Sequence, residues 1–184
     1  INNPIDAIRC GIGYVPEDRK GAGAVLGMSI KENITLASLK KIFRMFINGS
    51  RETAEADKYV SYLQIKTPSI EQKVENLSGG NQQKVVIGKW LLTDSKVLIL
   101  DEPSRGIDIA VKAEIYKIMN ELVKQGVIVI MISSELPEIL GMSDRIIVMR
   151  EGKIVACADR NEMNQEVIMK YATGSGSDET AHLA

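Results

Sequence analysis

Aromatic residues make up only 4% of the 184 residues, histidine occurs once and cysteine twice. So few aromatics leave no base-stacking platform. A net charge of −1, with acids and bases interspersed, leaves no basic stripe. Both argue against nucleic acid as a partner. Cys10 and Cys157 lie far apart with no His or Cys at metal-ligand spacing, so they read as reduced thiols of a cytosolic protein. His182, in the small polar stretch TGSGSDETAHLA, reads as a tail residue, and that stretch is expected to be disordered. The longest apolar runs are strand-sized, too short to span a bilayer, and there is no signal-peptide pattern. The phosphate-binding pattern GxxxxGK[ST] is absent as well. The first residues are INNP rather than an initiator Met, as expected of a fragment or a processed product.

What is present is a 45% hydrophobic chain, enough for a real core, in one domain or one domain with an inserted lobe. Ile12 to Val15 reads as a strand that ends at Pro16 and runs into a glycine-bearing loop, PEDRKGAG. Ser29 and Glu32 have the spacing of a capping box. A second helix is expected over Ser50 to Leu63, with Ala54, Tyr59 and Leu63 among the positions it buries. Little strand signal occurs between residues 30 and 76, which predicts a helical lobe. A further helix follows Gly80 to about Leu92, with Val85, Val86, Lys89, Trp90 and Leu92 as its apolar stripe.

Val97–Leu100 and Val127–Ile132 are continuous apolar strands separated by a helix over Lys112–Gln125, with Gly126 at its end. Uninterrupted apolar strands alternating with helices predict a parallel sheet buried on both faces. Ile146–Met149, REGK and Ile154–Ala156 predict a hairpin turning at Gly152. Met28, Met131, Met142 and Met149 are expected to fill gaps in the core.

Two motifs carry chemistry. VLILDEP places Asp101 and Glu102 where a buried strand ends, at the carboxyl edge at which open α/β sheets bind ligands. An Asp there helps hold Mg²⁺, and the next acid can orient or deprotonate an attacking water. The plainer alternative is two solvated acids. In LSGGNQQK, Ser78-Gly79-Gly80 opens a helix whose free N–H groups and dipole favour an anion. The plainer alternative is a simple helix cap.

LSGGNQQK, VLILDEP and SRGID (Ser104 to Asp108), in this order, resemble the signature motif, Walker B strand and D-loop of ATP-binding-cassette ATPases. GYVPEDRK, EPSRGIDI and ISSELPEILGMSDRI resemble, more finely, the second of two tandem cassettes in bacterial monosaccharide importers. That resemblance implies an α/β, P-loop NTPase-type core with a parallel sheet and an inserted α-helical subdomain, its N-terminal part missing. Residues 1–29 would be core with the Q-loop and 30–83 a helical signalling subdomain ending in the signature. Residues 84–171 would carry Walker B, D-loop and switch region, and 172–184 a disordered tail.

The cofactors implied are ATP and Mg²⁺. Ser78, Gly79, Gly80, Asn81 and Gln82 would contact a nucleotide held by a partner cassette, with Asp108 at the seam. Asp101 would serve the metal and Glu102 catalysis. Three positions depart from the general pattern. Glu17 stands for the Q-loop Gln and can still approach the metal. Ser134 stands for the switch His and lacks an imidazole. Asn81 stands where many cassettes have Gln. The first two imply an impaired site here and a signature loop that completes the partner's site.

Further partners implied are transmembrane permease subunits and, indirectly, a sugar-binding protein, at the cytoplasmic face of the bacterial plasma membrane. Arg19 and Lys20 either belong to the permease-docking surface or form a solvated loop; Lys40, Lys41 and Arg44 read as a solvated helix face. Two alternatives stay open: a non-transport cassette ATPase acting on DNA or ribosomes, and a non-catalytic module using only its dimer surface.

Overall fold

A computed structural model describes residues 1–39 and 49–174. Lys40, Lys41, Arg44, His182 and most of the expected disordered tail lie outside them. The chain divides into two compact units, Ile1–Ile132 and Ser133–Ala184. That boundary falls inside the stretch read from sequence as one core segment.

The first unit is built on a three-stranded parallel sheet, β1 (Ile12–Val15), β2 (Val97–Asp101) and β3 (Ile128–Ile132), in that spatial order. Tyr14 lies opposite Ile99, and Leu100 opposite Met131. The parallel sheet follows the expectation, but burial on both faces does not. Val15, Leu98 and Leu100 are buried on one face, whereas on the other Ile128, Ile130 and Ile132 are 61%, 46% and 47% exposed. A continuous apolar run therefore marks strand propensity here, while only one face is covered within the described residues.

Helix α1 (Pro4–Arg9) precedes β1 and is capped by the Asn3 side chain, which accepts from the Asp6 N–H. The loop after β1 is a five-residue π-helical turn, Arg19–Gly23, rather than irregular chain. Asp18 causes this: its carboxylate accepts from the backbone N–H groups of Lys20 (3.1 Å) and Gly21 (2.9 Å).

Helix α2 (Ile30–Thr35) starts at the expected capping box, with both reciprocal bonds of Ser29 and Glu32 in place. Helix α3 (Gly49–Tyr62) buries Ala56 rather than Ala54, and Leu63 beyond its end. Helix α4 (Gly79–Leu91) is buried through every residue from Gln82 to Gly88. It is thus a central helix rather than a one-stripe helix, packed against the sheet on one side and the helical lobe on the other. The lobe core is Ile30, Ile34, Ala56, Leu63 and Val74. Helix α5 (Ile109–Lys124) starts three residues earlier than expected, because Asp108 caps it, and ends at Gly126 with φ +88°.

The second unit contains helix α6 (Leu136–Met142), an antiparallel hairpin of β4 (Arg145–Arg150) and β5 (Lys153–Asp159), and helix α7 (Gln165–Thr173). The turn holds Glu151 and Gly152 at positive φ, +52° and +77°, which suits the twist of a tight hairpin. Its core is Ile146, Val148, Ala156, Met163 and Ile168. Met149, expected in the core, faces outward because it alternates with Val148 along β4. Among the described residues, no helix is long and apolar enough to cross a membrane.

Candidate functional site

Asp101 is the last residue of β2 and Glu102 the first beyond it. Glu102 has φ +45°, a left-handed conformation that costs a non-glycine residue about 1–3 kcal/mol. Its N–H donates to the Ile132 carbonyl at 2.8 Å, so the neighbouring strand holds the strained residue in place. The same backbone region is occupied by Gln64, Asp94 and Glu151 at turns, so it is the pairing of this conformation with Asp101 at the carboxyl edge of the sheet that makes Glu102 a candidate. Asp101 accepts a 2.7 Å hydrogen bond from the Tyr14 hydroxyl on β1. That bond, with burial and the carboxylate charge adding to it, raises the tyrosine pKa.

The chemistry of these acids fits a metal carried in with phosphates. Mg²⁺ keeps several waters and takes one or two carboxylates plus substrate oxygens. No group of three or more His, Cys, Asp or Glu able to hold a metal occurs among the described residues. Asp101 and Glu102 suit the first mode and not a free-standing metal site. Glu17, the other residue expected at the metal beside Asp101, has its carboxylate paired with the Arg105 guanidinium. That cation lies 88 positions along the chain, a partner that sequence spacing does not reveal.

Ser78 is exposed at the start of α4. Its hydroxyl makes no capping bond to the backbone; instead it accepts from the Asn81 side-chain amide at 3.0 Å. The amide oxygen of Asn81 accepts from the Lys66 N–H at 2.9 Å, which fixes the amide's direction. With its lone pair engaged, the Ser78 hydroxyl has its proton available for an incoming anion, beside the N–H groups of the first helical turn.

Gly80 is required sterically, and Gly79 lies under the Arg19 guanidinium. A Cβ at Gly80 would sit 2.2 Å from Val111 Cγ1, and one at Gly79 would sit 2.9 Å from Arg19 Nη2. Gln82 does not join this surface. It is 4% exposed, and its amide donates to the Val74 carbonyl at 3.1 Å, so it braces the segment before α4 from inside. Its position one turn into a fully buried helix decides this.

Asp108 is exposed, and its side chain accepts from the Val111 N–H at 3.0 Å as the cap of α5. Ser134 is exposed in the second unit, just before α6. Its neighbour Ser133 donates to Glu138 and accepts from the Glu135 N–H at 3.1 Å.

Three relationships escaped the sequence reading: Tyr14 with Asp101, Arg19 with the Arg105–Gly106 turn, and Lys84 with Glu114. Lys84 is 2% exposed and donates to the Gln64 carbonyl (3.1 Å) and to Glu114 (2.8 Å). Its place inside LSGGNQQK, in a segment otherwise read as ligand-facing, was the one signal that pointed to a role.

A sequence-family profile described as ABC transporter matches residues 2–105. The xylose import ATP-binding protein XylG of Moorella thermoacetica is 57% identical over 174 residues, 95% of this chain and 34% of that protein. The ribose import ATP-binding protein RbsA of Clostridium perfringens is 53% identical over 176 residues, covering 95% of this chain and 35% of that protein. The chain thus spans about a third of the length of the curated relatives it matches. Among solved structures, a nucleotide-free ATP-binding cassette from an ABC transporter superposes with a TM-score of 0.75 at 22% identity, over 92% of this chain and 71% of that one. An ATP-binding cassette in its ADP conformation gives 0.68 at 24% identity, over 91% of this chain and 66% of that one. At these identities the structures show a shared fold.

Proposed function

Because this chain belongs to the ABC transporter family, we propose that it is the second cassette of a bacterial monosaccharide importer, coupling ATP hydrolysis to sugar uptake. Its partners in this reading are a first cassette, two permease subunits and, through them, a sugar-binding protein, at the cytoplasmic face of the plasma membrane. The observation that carries the reading is the pair Asp101–Glu102, held at the carboxyl edge of a parallel sheet with Glu102 in a strained backbone state. It is supported by sugar-import relatives more than 50% identical.

Each residue then has one task. Glu102 accepts a proton from, or orients, the water that attacks the terminal phosphate. Asp101, aimed by the Tyr14 hydroxyl, would help hold Mg²⁺. Mg²⁺, when bound with nucleotide, neutralises charge on the phosphate oxygens. Ser78, Gly79 and Gly80 face a nucleotide held by the partner cassette, donating to its terminal phosphate from the start of α4. The 184 residues include no GxxxxGK[ST], so alone they turn over no ATP.

A second reading has one observation in its favour. Glu17 is paired with Arg105, which fits a cassette whose own site is degenerate and which completes its partner's site. ATP hydrolysis by the full-length protein separates the two. If Gly79→Asp abolishes turnover and Glu102→Gln leaves much of it, the cassette mainly serves its partner. If both abolish it, both sites are catalytically coupled. If neither lowers it, the proposed function is wrong.

A further inference from the structure

One side chain touches both loops that the proposed function turns toward the partner. Arg19, in the π-helical turn after β1, donates from Nη1 to the Arg105 carbonyl at 2.9 Å, and its Nη2 lies 3.5 Å from the Gly106 carbonyl. The same guanidinium occupies the space a side chain at Gly79 would need, with Nη2 at 2.9 Å and Cζ at 3.4 Å from an added Cβ. Its Nε is buried with no hydrogen-bond partner among the described residues. The turn cannot easily drift, because Asp18 ties down the N–H groups of Lys20 and Gly21. A second contact closes the arrangement: Gly80 packs directly on Val111, in the first turn of α5.

The starts of α4 and α5 therefore touch through Gly80 and Val111, and Arg19 bridges the remaining gap. A planar guanidinium with its fork of donors can reach two carbonyls while its carbon lies over a glycine, whereas a Lys ammonium is a single point donor. Donors aimed at a phosphate are worth most when they do not have to move into place. A displacement of about 1 Å can cost on the order of a hundredfold in rate.

We propose that Arg19 is a positioning residue that locks the Ser78–Gly80 helix start to the Arg105–Gly106 turn, so that both present one fixed face to the nucleotide of the partner cassette. The inference rests on the function proposed above for that face. Gly79 is glycine in this arrangement because the lock fills its Cβ space. The guanidinium is the end of a flexible chain, so an alanine at 79 is accommodated by pushing it off its carbonyls. Gly79→Ala thus opens the same lock that Arg19→Ala removes.

The test uses the full-length protein and two independent readouts. In steady-state ATP hydrolysis, Arg19→Ala lowers kcat roughly tenfold or more while KM for ATP moves less than about threefold, since the nucleotide is held by the other cassette. Arg19→Lys stays close to Arg19→Ala.

In thermal unfolding, Gly79→Ala lowers Tm in the unmodified protein but raises it in the Arg19→Ala background, where only the better helix propensity of alanine remains. A kcat within about twofold of the parent for folded Arg19→Ala, or full rescue by lysine, overturns the positioning role. Additive Tm changes overturn the lock itself. Absence of ATP turnover in the unmodified protein overturns the proposed function and with it the catalytic consequence, while the sign reversal in Tm still decides the lock.

Discussion

The Tyr14 hydroxyl donates to the Asp101 carboxylate at 2.7 Å, across adjacent strands of the parallel sheet. The acid that ends β2 is thus aimed by a side chain 87 positions earlier in the chain. Tyr14→Phe removes the donor and leaves the ring. The expected cost is about 1 kcal/mol or less, since the pair is partly exposed, read as a lower urea midpoint at unchanged slope. The bond keeps the phenol neutral, so its contribution is present below the ordinary tyrosine pKa of 10.0 and is lost as pH rises through the raised value. The stability of the parent should fall more steeply above pH 10 than that of Tyr14→Phe.

Ser29 and Glu32 set the opposite limit. The backbone N–H and hydroxyl of Ser29 donate to the Glu32 carboxylate at 2.7 and 2.8 Å and lower its pKa. A depressed carboxylate stabilises the fold above its ordinary value of 4.5 and stops doing so as pH falls through the lowered one. Ser29→Ala should cost about 0.5–2 kcal/mol at neutral pH. Denaturation followed below pH 4.5 should show a shallower acid slope in that variant than in the parent.

Lys84 and Glu114 form an uneven pair, one end buried and the other partly open. Glu114→Ala strands a buried ammonium whose remaining partner is the Gln64 carbonyl. Its cost should approach the lower end of the roughly 3–5 kcal/mol seen when one member of a buried pair is removed. Lys84→Met removes the charge along with the need for a partner and keeps much of the volume. It should be the milder change in thermal unfolding. The reverse ranking would mean that the pair is not what holds α4 to α5.

Gly80 meets Val111 with no room for a methyl group. Gly80→Ala should therefore destabilise by about 1–3 kcal/mol through overpacking, despite alanine being the better helix former. Val111→Ala in the same protein should recover most of the loss in chemical denaturation. Persistence of the full loss in the double variant would place the clash elsewhere.

The parts legible in sequence were those set by neighbours along the chain. Val97–Leu100 announced a strand through its unbroken apolar run, Ser29 and Glu32 a helix start through their spacing, and Glu151-Gly152 a hairpin through turn chemistry. LSGGNQQK and VLILDEP pointed to the family that the comparisons show. Gln82 was misplaced because a motif does not say which of its members faces inward. Met149 was misplaced because an apolar residue on a half-covered hairpin can face either way. The ion pair of Glu17 with Arg105 is invisible in sequence at that separation.

Periodicity, caps and turns act within a few residues, so sequence alone located β2, β3 and the hairpin, the helix starts at Ser29 and after Ser78, and the acids at the end of β2. Which groups meet across long separations was decided only by folding. Arg19 reaches Arg105 across 86 positions, Tyr14 reaches Asp101 across 87 and Lys84 reaches Glu114 across 30. Those contacts depend on how the sheet and α4 pack side by side, and packing is a property of the whole chain.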